Sequence, residues 1–181
     1  MKKCDCVLCR FENPKPTATA IIIKDQKILV GKRNLKGEPF FGEWDFFGGF
    51  VQKNESSEET LKREIKEELN VDCDLSFLGS FTGTHSFEEY TFPIISFVYL
   101  TELRGEIKLD KKENSQLQWV PLKDLKTIAF DSNKKILKYI QQKFVYDLGK
   151  VLELVGQLDP SAVVNEQSLY KAILDGYISK I

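Results

Sequence analysis

The densest run of chemistry-bearing residues lies between Gly48 and Val71, where Glu64, Glu67 and Glu68 stand at i, i+3 and i+4. In a helix, about 100° of rotation per residue puts those three carboxylates on one face, beside an apolar stripe of Leu61, Ile65 and Leu69. Three adjacent carboxylates repel one another unless something cationic sits among them. An all-oxygen donor set suits a hard ion such as Mg²⁺ or Mn²⁺, which takes a few carboxylates and leaves its other positions to water and phosphate oxygens. A solvated acidic face laced with Glu–Lys pairs has the same spacing, so both readings stand at this level. Arg63 lies four residues after Glu59 and four before Glu67, within reach of either.

Other catalytic chemistries are poorly supplied. His85 is the only histidine, so any Ser-His-Asp or Cys-His mechanism must pass through it. Its setting, Gly83-Thr84-His85-Ser86-Phe87, holds no nucleophile elbow and no neighbouring cysteine. It is expected to be a strand or loop histidine with an ordinary hydrogen bond. Cys4, Cys6 and Cys9 look like half of a zinc knuckle, but a closed Zn²⁺ site wants four ligands and Cys73 is far along the chain. Free thiols on a short arm are expected there in preference to Zn²⁺.

The elements that must position these side chains follow from the rest of the pattern. With 181 residues, 42% hydrophobic and 29% charged, the chain suits one domain with an appendage. A net charge of −1, from 26 Lys+Arg and 27 Asp+Glu, argues against neutralising a nucleic-acid backbone. The longest uncharged stretch, the thirteen residues Leu75 to Phe87, falls short of the roughly 20 that a membrane-spanning helix needs. No secretory signal is read, and a cytoplasmic protein is expected. Thr17 to Ile23 and Lys27 to Lys32 read as strands of a hairpin, with Gly37 to Phe50 a loop. Ser57 to Leu69 reads as a helix opened by a Ser56–Glu59 capping box. Leu75 to Phe81, Phe92 to Leu100 and Gln116 to Val120 read as strands. Pro121 to Leu125 is a helical turn and Ser132 to Phe144 a helix capped by Asp131 or Ser132. Residues 1–16 form a cysteine-bearing N-terminal arm. Over 145–181 apolar residues recur at helical spacing, which predicts a C-terminal helical hairpin that must pack on the domain or on a second copy in a homodimer.

The block from Gly49 to Val71 resembles the Nudix box of the Nudix hydrolases: Gly, five residues, Glu, seven residues, Arg-Glu, an aliphatic residue, any residue, Glu-Glu, any residue, Gly, an aliphatic residue. Gly49, Glu55, Arg63, Glu64, Ile65, Glu67, Glu68 and Val71 match in register. Trp44 and Trp119-Val120-Pro121-Leu122 are similar to further landmarks of the family, and the resemblance covers roughly Thr17 to Phe144. The chain departs from it at Asn70 and Asn54, where Gly is usual, and at Phe47, where Pro is usual. Asn is the next-best residue for a left-handed backbone, so both Asn replacements are coherent.

The resemblance implies a mixed α/β fold over 17–144, an α/β/α sandwich around a mixed sheet. It implies hydrolysis of a nucleoside diphosphate linked to another moiety, by water attack on phosphorus with Mg²⁺ or Mn²⁺. Glu64 and Glu68 would be the principal metal ligands, with Glu67 a third and the Gly49 carbonyl contributing. Arg63 would hold the box through Glu55, and Glu67 or Glu113 would serve as the base. Arg33, ending the second strand, is a candidate for a substrate phosphate, and Trp44, among the aromatics of the box loop, for a nucleobase. The expected substrate is ADP-ribose-like or a nucleotide sugar, with nucleoside triphosphates second. A non-catalytic nucleotide sensor is the alternative of another class, disfavoured by the intact Glu64, Glu67 and Glu68. Nucleic acid and membrane are not expected partners.

Overall fold

A computed structural model describes residues 13–87 and 89–144. Cys4, Cys6 and Cys9 of the N-terminal arm, and the helical hairpin and homodimer contact expected over 145–181, lie outside the described residues. After β1 (Lys15–Ile21), Asp25 and Gln26 turn β2 (Ile23–Lys24) into β3 (Lys27–Arg33), both with positive φ of 50° and 54°. Lys24 pairs with Lys27, so this is a two-residue hairpin whose turn residues share the positive-φ backbone conformation that such loops favour. The expected hairpin therefore forms, but β1 leaves it for another sheet.

The segment expected to be a loop over Gly37 to Phe50 instead contains two short strands, β4 (Trp44–Asp45) and β5 (Phe47–Phe50). Their partners are distant in sequence: β4 pairs with β3, and β5 pairs with β1 through Thr17↔Phe50 and Thr19↔Gly48. Helix α1 is Ser57–Leu69; β6 (Asp72–Phe87) and β7 (Tyr90–Arg104) form a long hairpin; β8 is Asn114–Pro121 and α2 is Asp131–Phe144. One sheet runs β5-β1-β7-β6, with β1 and β7 parallel and its other pairs antiparallel. The second, antiparallel, runs β2-β3-β4, with β8 also on β3. Pro121 to Leu125 is the expected turn, closed by Asp124 N–H to Pro121 O at 2.8 Å.

Two cores make the layers. Ala18, Ala20, Leu29 and Phe47 face Leu61, Ile65 and Leu69 of α1. Ile21, Ile28, Val30 and Val98 face Ile136, Leu137, Ile140 and Phe144 of α2. Alternation along β1 and β3 thus sends successive side chains to opposite helices, because side chains in a strand point to opposite faces with period two. This is a mixed α/β sandwich with one helix on each side.

Local chemistry fixes α1 at both ends. Ser56 Oγ accepts from Glu59 N–H at 3.2 Å while Glu59 Oε2 accepts from Ser56 N–H at 2.8 Å, the expected capping box. Asn70 closes the helix at φ 53°, its N–H donating to Lys66 O at 3.1 Å. Asn54 also has a positive φ, 70°. At α2 the expected side-chain cap is replaced: Ser132 is buried and its hydroxyl meets His85 Nε2 at 3.3 Å, while Asp131 faces Lys135 at 3.7 Å.

Candidate active site

The acidic end of the site is built by α1, β5 and the loop before β8. Glu68 is only 6% exposed. Its Oε1 accepts from Gly48 N–H at 3.1 Å and its Oε2 from Asn114 Nδ2 at 2.5 Å. Burial pushes its carboxyl up to about 8, and the neighbouring Glu64 and Glu113 push in the same direction. Glu64 is raised by burial too, against the pull of Arg63. Its carboxylate lies against Gly49, so closely that a Cβ there would overlap Glu64 Oε1.

Arg63 does not bond Glu59, which the capping box occupies. It donates to Glu55 Oε1 at 2.9 Å and Oε2 at 3.1 Å, to Glu64 Oε1 at 2.8 Å and to Glu67 Oε2 at 3.1 Å. Bonds from Arg63, and then from Thr60, bring Glu55 down to about 2. Among the described residues no three His, Cys, Asp or Glu side chains stand in ready ligating geometry. The chemistry of the donors nevertheless fits a hard divalent cation. They are all oxygen, and burial and like-charged neighbours disfavour the charged forms, Glu67 and Glu113 acting on Glu64, and Glu64 and Glu113 on Glu68.

Beside the acids opens a cleft of about 400 Å³, lined at this end by Gly48, Gly49 and Glu113. That volume falls in the range of small-molecule sites. Its walls carry Phe46, Phe50, Phe92, His85 and Phe130, and on its floor Thr17 Oγ1 meets Ser96 Oγ at 2.6 Å. His85 stacks on Phe130 with ring centroids 4.3 Å apart, and the Arg33 guanidinium carbon lies 4.7 Å from the same ring centroid. Burial, with Arg33 nearby, lowers the His85 imidazole below its usual value. Arg33 also donates to Pro39 O at 3.1 Å and pairs with Asp45 at 3.0 Å.

Of the residues singled out in the sequence, Gly49, Glu113 and Arg33 line this cleft together. Glu64, Glu67 and Glu68 do not line it, and the Glu67 side chain is 59% exposed and turned to Arg63. Trp44 is not in the lining either: its ring packs on the α2-side core under Lys32 Nζ, 5.9 Å from the ring centroid. Phe46, Phe50, Phe92 and Phe130 supply the aromatic walls instead. His85 has the expected hydrogen bond but is also a wall of the cleft.

Sequence reasoning missed Asp45 and Asn133. Asp45 is 5% exposed and accepts from Asn133 Nδ2 at 2.7 Å and Phe46 N–H at 2.9 Å. Asp45 stands between Trp44 and Phe46 with no local cue that marks it as a buried acid, and Asn133 lies 88 residues away. Burial outweighs these partners and raises the Asp45 carboxyl to about 6. The native state therefore holds a proton that the unfolded chain has released, and the resulting stability is full below about pH 4 and lost as pH rises through about 6. Relative to Asp45→Asn, the wild type should lose up to about 3 kcal/mol between those limits. Urea unfolding of both proteins at pH 4, 5, 6 and 7 checks this; parallel pH dependences would refute it.

The NUDIX domain model matches residues 13–140, and the chain belongs to the Nudix family. A relative named ADP-ribose pyrophosphatase, from Methanocaldococcus jannaschii, is 35% identical over 138 residues, covering 74% of this chain and 77% of its own. One named 8-oxo-dGTP diphosphatase, from Buchnera aphidicola, is 29% identical over 126 residues, covering 70% of this chain and 92% of its own. The crystal structure of a MutT NUDIX hydrolase from Burkholderia pseudomallei superposes with a TM-score of 0.60 at 28% identity, covering 70% of this chain and 98% of the other. The protein is a Nudix hydrolase, and its reaction is that of a pyrophosphohydrolase. Such enzymes generally work with divalent cations such as Mg²⁺ or Mn²⁺. No described helix is long and apolar enough to cross a membrane.

Proposed function

We propose that this enzyme hydrolyses the pyrophosphate of an ADP-ribose-like or nucleotide-sugar substrate, using Mg²⁺ or Mn²⁺ held by Glu64, Glu68, Glu67 and the Gly49 carbonyl. The observation that carries the reading is the meeting of the acidic end and the aromatic cleft at Gly48, Gly49 and Glu113. A nucleoside in the cleft would lie between aromatic walls, where ring stacking favours a flat base. Its phosphates would then extend from Arg33 toward the carboxylates. The cation, when bound, neutralises pyrophosphate charge and acidifies a water.

The chain's own residues do the rest. Arg63 competes for Glu64 and Glu67 and keeps the acidic face from splaying. Arg33, braced by Asp45 and Pro39, presents a fixed positive charge to a phosphate. Glu113 is the better candidate to take the proton of the attacking water, because it lines the cleft and lies close enough to Glu64 and Glu68 to raise both. Glu67, exposed and held by Arg63, serves the cation rather than the water.

The Methanocaldococcus relative supports an ADP-ribose-like substrate. The Buchnera relative favours the second reading, release of pyrophosphate from nucleoside triphosphates. A phosphate-release screen with Mg²⁺ and with Mn²⁺ separates them. It would offer ADP-ribose, nucleotide sugars, dinucleoside polyphosphates, NADH and nucleoside triphosphates, with phosphatase or pyrophosphatase added to read the products. Turnover of ADP-ribose or a nucleotide sugar is expected; turnover of triphosphates alone would replace the first reading by the second. Binding without turnover across the panel would indicate a sensor.

A further inference from the structure

The most unusual neighbour of the acidic end is a neutral one. Asn114 opens β8, is 5% exposed, and gives its amide N–H to Glu68 Oε2. Two features of the fold put it there. Along β8 the pairing with β3 runs Leu117↔Gly31 and Gln116↔Lys32, then slips so that Asn114 faces Arg33. Ser115 is the extra residue of this bulge, and its hydroxyl donates to Lys32 O at 3.3 Å. One inserted residue reverses the in–out alternation of a strand. Asn114 is thereby turned toward the α1 side, where Leu117 packs, and away from the exposed side of Gln116 and Gln118.

The second feature is Gly31. A Cβ at that position would overlap Asn114 Oδ1 and Cγ, so the carboxamide occupies the space the glycine leaves. Seated there, the carboxamide has one useful orientation. With Glu68 ionised, as a ligand to a cation would be, the carboxamide NH₂ faces an acceptor-only carboxylate, and the reverse would set two oxygens together.

Glu68 is thus gripped on both oxygens, Oε1 by Gly48 N–H and Oε2 by Asn114. A carboxylate has about four lone-pair directions, so one on each oxygen remains open. A lysine or arginine in place of Asn114 would also grip Glu68, but it would cancel the negative charge that attracts a cation. A neutral donor orients without cancelling.

We propose that Asn114 is a positioning residue: seated against Gly31, it holds the Glu68 carboxylate in the orientation that receives the divalent cation. This rests on the reading of Glu68 as a metal ligand. The test is Mn²⁺ alone, titrated into the full chain and followed by electron paramagnetic resonance, with thermal melting and the Mg²⁺ dependence of turnover measured in parallel. Asn114→Ala should weaken Mn²⁺ binding at least about tenfold and raise the Mg²⁺ requirement in proportion, with the substrate KM at saturating Mg²⁺ unchanged. Asn114→Val, which suits a strand and lacks the donor, should behave alike. Unchanged Mn²⁺ affinity in either folded variant overturns the proposal, as does failure of both to fold, which would make Asn114 a purely structural residue. Absence of Mn²⁺ binding in the wild type would instead overturn the metal reading itself.

Discussion

Glu68→Gln should lower turnover by about 10³-fold or more while leaving the protein folded. Several kcal/mol of transition-state charge stabilisation depend on the cation, and each 1.36 kcal/mol is tenfold in rate. The substitution keeps the size of the side chain and an oxygen for Gly48 N–H, and it removes a charge whose burial is unfavourable. Asn114 must turn its carbonyl toward the new amide, a local rearrangement. Thermal melting should therefore stay within a few degrees of wild type or rise, and the stabilisation conferred by Mg²⁺ should disappear. Near-normal turnover in a folded Glu68→Gln protein would remove Glu68 from the site.

The paired glycines should separate folding from chemistry. Gly48 has a φ of 133°, which side-chain-bearing residues rarely adopt, and a Cβ there would overlap the Ala18 backbone carbonyl in the neighbouring strand. Neither the strain nor the backbone clash can be relieved without opening the β1–β5 pairing. Gly48→Ala should cost on the order of 3 kcal/mol or more, a drop in melting temperature of about 10 °C. At Gly49 the atoms in the way belong to the Glu64 carboxylate, the end of a flexible side chain. Gly49→Ala should melt close to wild type yet lose most of its activity, because Glu64 is displaced. Equal melting temperatures for the two variants would contradict this division.

The reach of sequence reasoning differs from element to element. Helix α1 has the expected bounds because its signals are local: a capping box that pairs residues three apart, an apolar stripe, and an Asn that accepts a left-handed φ. The grouping of Glu64, Glu67 and Glu68 on one side of that helix follows from the same periodicity. Strands β4 and β5 look like loop in the sequence because runs of two and four residues carry no readable period; they become strands only when β3 and β1 lie alongside. Trp44 is the opposite case. An aromatic near a candidate site has no direction in the sequence, and here pairing with Lys32 leaves it outside the cleft lining.

By itself, then, the amino-acid order determined the helix, its acidic face and the kind of ion that face suits, since backbone geometry relates residues three and four apart by a constant rotation. The cleft was decided by the tertiary structure alone. Arg33, Asp45, His85, Phe130 and Asn133 come from four separate segments of the chain and meet only when the sheets and α2 pack, and the inward turn of Asn114 depends on one bulged residue in β8. Contacts between segments tens of residues apart have no fixed spacing to read. They exist because burying two apolar faces on opposite sides of the sheets brings those side chains to the same place.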